Sequence, residues 1–360
     1  MDKLFIDKEY SFAKVYQPLN VSARLKKYVD DFIVEEYIPV DFSGDGEHCW
    51  VYIKKSACNT DWVAQQLAEY CGVKKMAVAY AGLKDRQAVT SQWFSVQLPG
   101  KPTPDWADFE ANFSADDSVE KIQVLQSFRH NRKLQRGALK SNSFKIRLRD
   151  LSDTSDAMFE LLQQRCLLIA QHGVANYFGS QRFGRNYNNL DQAAKLFSRP
   201  RFKIAKHKRG IYLSAARSWL FNCILSERID RHVWDKRLPG DAFMLDGRSA
   251  CFKDDETEDL KQRLELNEIH PTAPLWGEGE DMVSSQAAEL EAHIIDQFPV
   301  FRDGLIAARI QSHRRACRVI PGQLEAGRLQ DDFVVSFSLP AGSYATVVLA
   351  EIFSQLIESV

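Results

Sequence analysis

The 360-residue sequence predicts an α+β protein long enough for two domains, and three observations carry that expectation. Segments with an apolar residue at every second position recur from end to end, as half-buried strands require. Between them lie segments with apolar residues three and four apart, several bounded by capping residues and glycine stops, as helices require. A length of 360 with 45% hydrophobic and 26% charged residues suits a globular chain able to bury two cores.

Taken in order, Phe32-Ile33-Val34-Glu35 reads as a strand, preceded by Lys26-Lys27. Asp45-Gly46-Glu47-His48 reads as a turn, and Asp-Gly before the alternating run 48–53 is a hairpin signal. Turn chemistry accounts for Asp45, Glu47 and His48 without a metal. Asn59-Thr60 offers the N-cap of a helix with Val63, Leu67 and Cys71 on one face and Gly72 as its stop. Residues 76–80 and 93–98 read as extended, with a loop between them and another, rich in proline, at 99–104. Residues 122–128 and 145–148 are extended too. In the latter, Phe144, Ile146 and Leu148 share one face while Lys145, Arg147 and Arg149 share the other. Helices are expected over 155–172, 213–234 and 285–298, with a surface acidic segment after Asp254 and a loop at 271–279. A strand at 332–339, a turn with Ser343 as N-cap, and a last helix through Tyr344, Val347, Val348, Leu349 and Ile352 close the chain.

The composition excludes several classes. No apolar run approaches the roughly 20 residues of a membrane span, and Met1-Asp2-Lys3-Leu4 lacks the basic-then-apolar plan of a signal peptide. Seven scattered cysteines without a C-x-x-C pair read as reduced, mostly buried thiols of a cytosolic protein. Zinc spacing, Rossmann and P-loop fingerprints and G-x-S-x-G are all missing, so the chemistry expected uses no cofactor. The net charge of −1 hides an uneven distribution. Residues 129–149 hold eight Lys/Arg and no acid; residues 182–217 hold ten, Arg201 among them, against Asp191 alone. The acids cluster later, at Asp254, Asp255, Glu256, Glu258 and Asp259 and at Glu278, Glu280 and Asp281. That split fits one polyanion-binding face. The stretch 176–185 mixes aromatics, glycines and arginines, a composition that suits either stacked bases and held phosphates or a buried structural turn.

The chain is organised around 81–94, where Asp85 stands between Lys84 and Arg86 in a loop carried by two strands. Cations on either side favour the ionised carboxylate, which suits a nucleophile or an anchored ion pair and not a general acid. Carboxylate nucleophiles attack sugar carbons and electrophilic rings without a cofactor.

Gly82-Leu83-Lys84-Asp85-Arg86-Gln87-Ala88-Val89-Thr90-Ser91-Gln92 resembles the signature G-x-K-D-K/R-x-A-x-T-x-Q of the TruD family of tRNA pseudouridine synthases. Blocks at 137–144, 176–184, 213–218 and 339–346 resemble that family's other blocks, in the same order, from Lys26 to the C-terminus. The resemblance implies isomerisation of uridine to pseudouridine in tRNA, at position 13 of the D arm. Asp85 falls on the catalytic aspartate, which attacks either ribose C1′ or base C6, and Lys26 on its basic partner. Phe32, Asn142 and Tyr344 fall on base-contacting positions, and Phe144 on the ring over the target uracil. Tyr344 stands where better-known members carry Phe. Lys84, Arg86, Arg182 and Arg185 are candidates for the RNA backbone, with Lys84 and Arg86 alternatively tuning Asp85. The implied fold is a mixed, largely antiparallel sheet in a catalytic domain, 1–172 with 320–360, interrupted by an inserted α/β domain at 173–319. The implied partner is tRNA, with no membrane and no obligatory protein partner, in the cytoplasm. A non-catalytic tRNA-binding or RNA-folding protein would show the same basic blocks.

Overall fold

The computed structural model describes residues 11–113, 120–199, 203–257 and 259–358. Met1-Asp2-Lys3-Leu4, Arg201 and Glu258 lie outside the described residues. The chain forms two compact units. One holds Leu19–Ala170, Pro321–Gly342 and the described residues from Phe353; the other holds Gln171–Ile320, Ser343–Ile352 and the described residues up to Pro18.

The first unit carries β1 (Leu19–Leu25), β2 (Phe32–Tyr37), β3 (His48–Ser56), α1 (Thr60–Tyr70), β4 (Val78–Tyr80), β5 (Val89–Gln97), α2 (Trp106–Ala111), β6 (Lys121–His130), β7 (Ser141–Leu148) and α3 (Asp156–His172). Its main sheet runs in the order Gly322–Leu329, Asp332–Pro340, β7, β2, β5, β3, β6, with β4 on the end of β5. Only β2 and β5 are parallel within it; the other pairings are antiparallel. This is the mixed, largely antiparallel sheet of the α+β expectation.

β5 explains why the sheet is stable. Trp93 faces Trp50 and Leu134 on one side, while Phe94 and Val96 meet Val63, Ala64 and Leu67 of α1 on the other. Each such side chain contributes about 1.5–3 kcal/mol on burial. The alternation legible at 92–96 is therefore not inside against outside, because both faces are covered. β5 also overturns the hairpin at Asp45-Gly46, since it lies between β2 and β3. Gly46 serves another purpose: at φ 111°, a Cβ there would stand 2.6 Å from the carbonyl oxygen of His130.

A separate parallel pair joins β1 to Phe353–Glu358. Neither strand was expected, although β1 alternates Leu19, Val21, Ala23 and Leu25 with polar residues; in Phe353–Glu358 the pairs Ser354-Gln355 and Leu356-Ile357 interrupt the alternation.

The second unit combines helices with a four-stranded antiparallel sheet ordered Cys251–Lys253, Ala242–Leu245, Ile269–Leu275, His313–Ala316. Its core gathers on the helix Lys206–Asp230, where Trp219, Leu220, Phe221 and Ile224 are buried. That helix begins earlier than its apolar stripe. The helix expected to reach 298 stops at Ile295, and Pro299 opens a second one, Pro299–Ala307, at the position where a missing N–H costs nothing. The loop expected at 271–279 is largely the strand Ile269–Leu275. It changes partner midway, and Pro271 serves by its carbonyl, which accepts from Cys317 N at 2.8 Å. Ser343 does not cap the last helix, Ala345–Ala350; its hydroxyl donates to Asn176 Oδ1 at 3.1 Å. Glu351 accepts the N–H groups of Val15 and Tyr16, and Lys14 Nζ donates to the Ala350 carbonyl at 2.8 Å. These bonds build the early segment and 343–352 into this unit. Among the described residues no helix is long and apolar enough to cross a membrane.

Candidate active site

The loop between β4 and β5 presents Asp85 on a fixed backbone. Gln92 Nε2 donates to the Gly82 carbonyl at 3.1 Å, and the Thr60 hydroxyl donates to Gln92 Oε1 at 2.9 Å. The same hydroxyl accepts the Lys84 N–H at 3.0 Å. Beneath the loop the ammonium of Lys55, 1% exposed, donates to the carbonyls of Cys58 at 2.7 Å and Asp85 at 3.2 Å. Burial pushes the Lys55 ammonium down to about 8, against the opposing pull of Cys58 and Asp85.

The Asp85 carboxylate is 40% exposed and accepts from Lys26 Nζ at 2.6 Å, while the Lys26 side chain is only 9% exposed. Lys26 directly follows β1 and holds φ 56°, a left-handed backbone rare for a side-chain-bearing residue. Its ammonium also lies 4.3 Å from the ring centre of Phe32. Lys26, and not Arg86, is thus the cation on Asp85. The Arg86 guanidinium donates to the Ala57 carbonyl at 3.0 Å and reaches Glu120 at 3.4 Å.

Register brings three more expected residues onto one sheet face. Val34 lies opposite Phe144 and Glu36 opposite Asn142 across β2 and β7, so Phe32, Phe144 and Asn142 point the same way. The rings of Phe32 and Phe144 meet edge-on at 6.1 Å, and Phe337 packs behind Phe144 at 5.5 Å. Lys84 closes the group. Its Nζ lies 2.9 Å from Glu36 Oε2 and donates to Asn142 Oδ1 at 2.8 Å. The Lys84–Glu36 contact is an ion pair without hydrogen-bond alignment at Oε2, and both side chains are buried. The charge of Lys84 is matched inside the protein by Glu36.

Tyr344 and Arg182 belong to the second unit and meet there. The Tyr344 hydroxyl, absent from a Phe, accepts from Arg182 Nη2 at 2.8 Å and Nε at 3.2 Å. Arg182 also donates to Ser214 Oγ at 3.2 Å, and Arg185 is exposed. In the stretch 176–185 the structural alternative describes the rings: Tyr177, Phe178 and Phe183 are core residues, with Arg315 4.2 Å over Phe178.

Two residues of the site escaped sequence reasoning. Lys55 carried a usable signal, since Val51, Ile53 and Lys55 share one face of β3 and two are apolar. Glu36 carried the same signal, since it shares one face of β2 with Phe32 and Val34, but its partners come from a distant loop and strand. Among the described residues no group of three His, Cys, Asp or Glu side chains converges as a metal site.

Comparison with known proteins matches residues 15–205 and 201–352 to the family model described as tRNA pseudouridine synthase D (TruD). The tRNA pseudouridine synthase D of Methylococcus capsulatus is 45% identical over 331 residues, covering 91% of this chain and 90% of that one. That of Hydrogenovibrio crunogenus is 40% identical, covering 96% and 97%. A crystal structure of a Methanosarcina mazei protein described under the same family name superposes with a TM-score of 0.72 at 22% identity, over 95% of each chain. That last likeness speaks to the fold.

Proposed function

Because the chain belongs to the tRNA pseudouridine synthase D (TruD) family, we propose that Asp85 is the nucleophile with which it isomerises uridine to pseudouridine in tRNA. The observation that carries this reading is the ion pair of a half-exposed Asp85 with a buried, backbone-strained Lys26. A carboxylate held this way is anionic, fixed and open to substrate on its free side. Attack at ribose C1′ breaks the bond to N1 directly; attack at C6 saturates the ring first. Either route ends with a C5–C1′ bond and loss of the C5 proton.

The remaining roles follow from side-chain chemistry. A target uridine must leave its stack to reach Asp85, and aromatic rings stabilise an unstacked base. Phe144, at the edge of Phe32, is the proposed ring over the uracil, with Asn142 reading the base edge. Tyr344 is proposed as a further base contact, its hydroxyl oriented by Arg182. Arg86 and Arg185, both exposed, and Arg182 are proposed contacts to the RNA backbone. Lys84 is proposed to act through Asn142. The proposed target is position 13 in the D arm and the proposed location the cytoplasm. The proposed division, a catalytic domain 1–172 with 320–360 around an insert at 173–319, differs from the compact units in that the early segment and Ser343–Ile352 belong with Gln171–Ile320.

The test is incubation of the purified protein with unmodified tRNA followed by pseudouridine mapping. A single pseudouridine at position 13 is expected. None would overturn the proposal, and one elsewhere would revise the position alone.

A further inference from the structure

We infer that Lys84, locked on Glu36, is a specificity-determining residue: it fixes the Asn142 amide so that the Nδ2 hydrogens face the target base and select uracil over cytosine. This rests on the pseudouridine synthase reading and extends it to how the base is chosen.

The oxygen and nitrogen of an asparagine amide exchange by a simple flip, so orientation must come from partners. Here the partner decides. A lysine ammonium only donates, so the amide atom 2.8 Å from Lys84 Nζ has to be Oδ1. Lys84 has little freedom to move: its N–H is held by Thr60 Oγ1, and its ammonium pairs with Glu36, whose Oε1 accepts the Trp93 N–H at 3.2 Å. Glu36 and Asn142 sit directly opposite each other on neighbouring strands, so the three side chains form a bridge across the register. Nδ2 of Asn142 has no protein acceptor among the described residues.

An amide anchored through its oxygen offers only hydrogens on its other side. Uracil presents a carbonyl oxygen at position 4, where cytosine presents an amino donor. Donor against donor leaves both groups desolvated and unpaired, which is the strongest form of rejection a polar site can apply. Lys84 is also the chain neighbour of Asp85, so the residue that sets the reading amide is one peptide from the nucleophile.

The experiment measures binding on an Asp85→Asn background, which blocks turnover, to two tRNA transcripts differing only in uridine or cytidine at the modified position. The parent should prefer uridine by roughly ten-fold or more. Lys84→Met frees the amide to flip and should bring the ratio to about unity, whereas Lys84→Arg, still a donor, should preserve a preference. Since Lys84→Met strands Glu36, the double variant Glu36→Gln/Lys84→Met is measured beside it. Asn142→Asp gives an independent reading, because it is nearly isosteric, keeps a partner in Lys84 and presents acceptors only. It should reverse the preference towards cytidine. An unchanged ratio in the folded double variant, or an Asn142→Asp protein that still prefers uridine, overturns the inference. Turnover by the wild-type protein on the uridine transcript separates the two levels. Pseudouridine formed alongside unchanged ratios removes the specificity role alone; no pseudouridine removes the enzymatic reading and this inference with it.

Discussion

Lys26 reaches Asp85 against two costs. Its left-handed backbone costs about 1 kcal/mol for a residue with a Cβ, and its ammonium is almost wholly withdrawn from water. The carboxylate and the Phe32 face offset both. A left-handed backbone also occurs at residues such as Asp150, His232 and Gln330, so it is the pairing with Asp85, not the strain alone, that sets Lys26 apart. Lys26→Met should lower kcat on the order of ten- to a hundred-fold with little change in KM, measured by single-turnover kinetics; an unchanged kcat would detach Lys26 from the reaction. Lys55 makes a prediction of a different kind. Its folded value of about 8 lies below its ordinary 10.5, so between these the unfolded chain binds the proton that the folded chain has released. Its contribution to stability therefore rises with pH across that window. Relative to Lys55→Met, the wild type should gain up to about 3 kcal/mol between pH 8 and pH 10.5, read from denaturant unfolding; a flat difference would contradict it. The placing of Asp85 in a loop between two strands was legible because glycine opens the loop and extended segments flank it. Glu36 matters through partners far away in the chain, and Lys55 reaches the Asp85 carbonyl thirty residues on, contacts that adjacency cannot reveal.

At the scale of elements, the 81–88 loop is tied to the start of α1 by one hydroxyl. Thr60 accepts from Lys84 N and donates to Gln92, whose amide holds Gly82. Thr60→Val keeps the shape and removes both bonds, leaving buried groups unpaired. It should cost about 1–3 kcal/mol of stability and lower kcat more than it changes KM, checked by thermal unfolding and steady-state kinetics; an unaltered kcat would show the loop holds without it. The helix of Thr60 and the strands around the loop were legible because capping residues and alternation are local signals. The hairpin at Asp45-Gly46 misled because a turn signal says nothing about a third strand, β5, that arrives later and slips between its two neighbours. Ile269–Leu275 was hidden by its prolines, which a strand tolerates where only carbonyls are needed.

For the whole molecule, the basic blocks overstate the free positive charge. Arg147 and Arg149 pair with Asp332 and Asp31, acids remote in the chain, and outside the blocks Lys84 pairs with Glu36. The split of charge along the chain was legible; which cations stay free was not, since pairing is settled by topology. Arg185 remains exposed, so Arg185→Ala should reduce the log–log salt dependence of tRNA binding by roughly one unit, measured by filter binding across a salt series. An unchanged slope would place it away from the RNA. The central claim, that Asp85 does the chemistry and the rest of the molecule holds the tRNA, meets its most direct test in Asp85→Asn. The assay is tritium release from C5-labelled uridine in tRNA, read beside tRNA affinity on the same preparation. Release should fall on the order of 10³-fold or more while the dissociation constant stays near that of the wild type; full retained release would contradict the account.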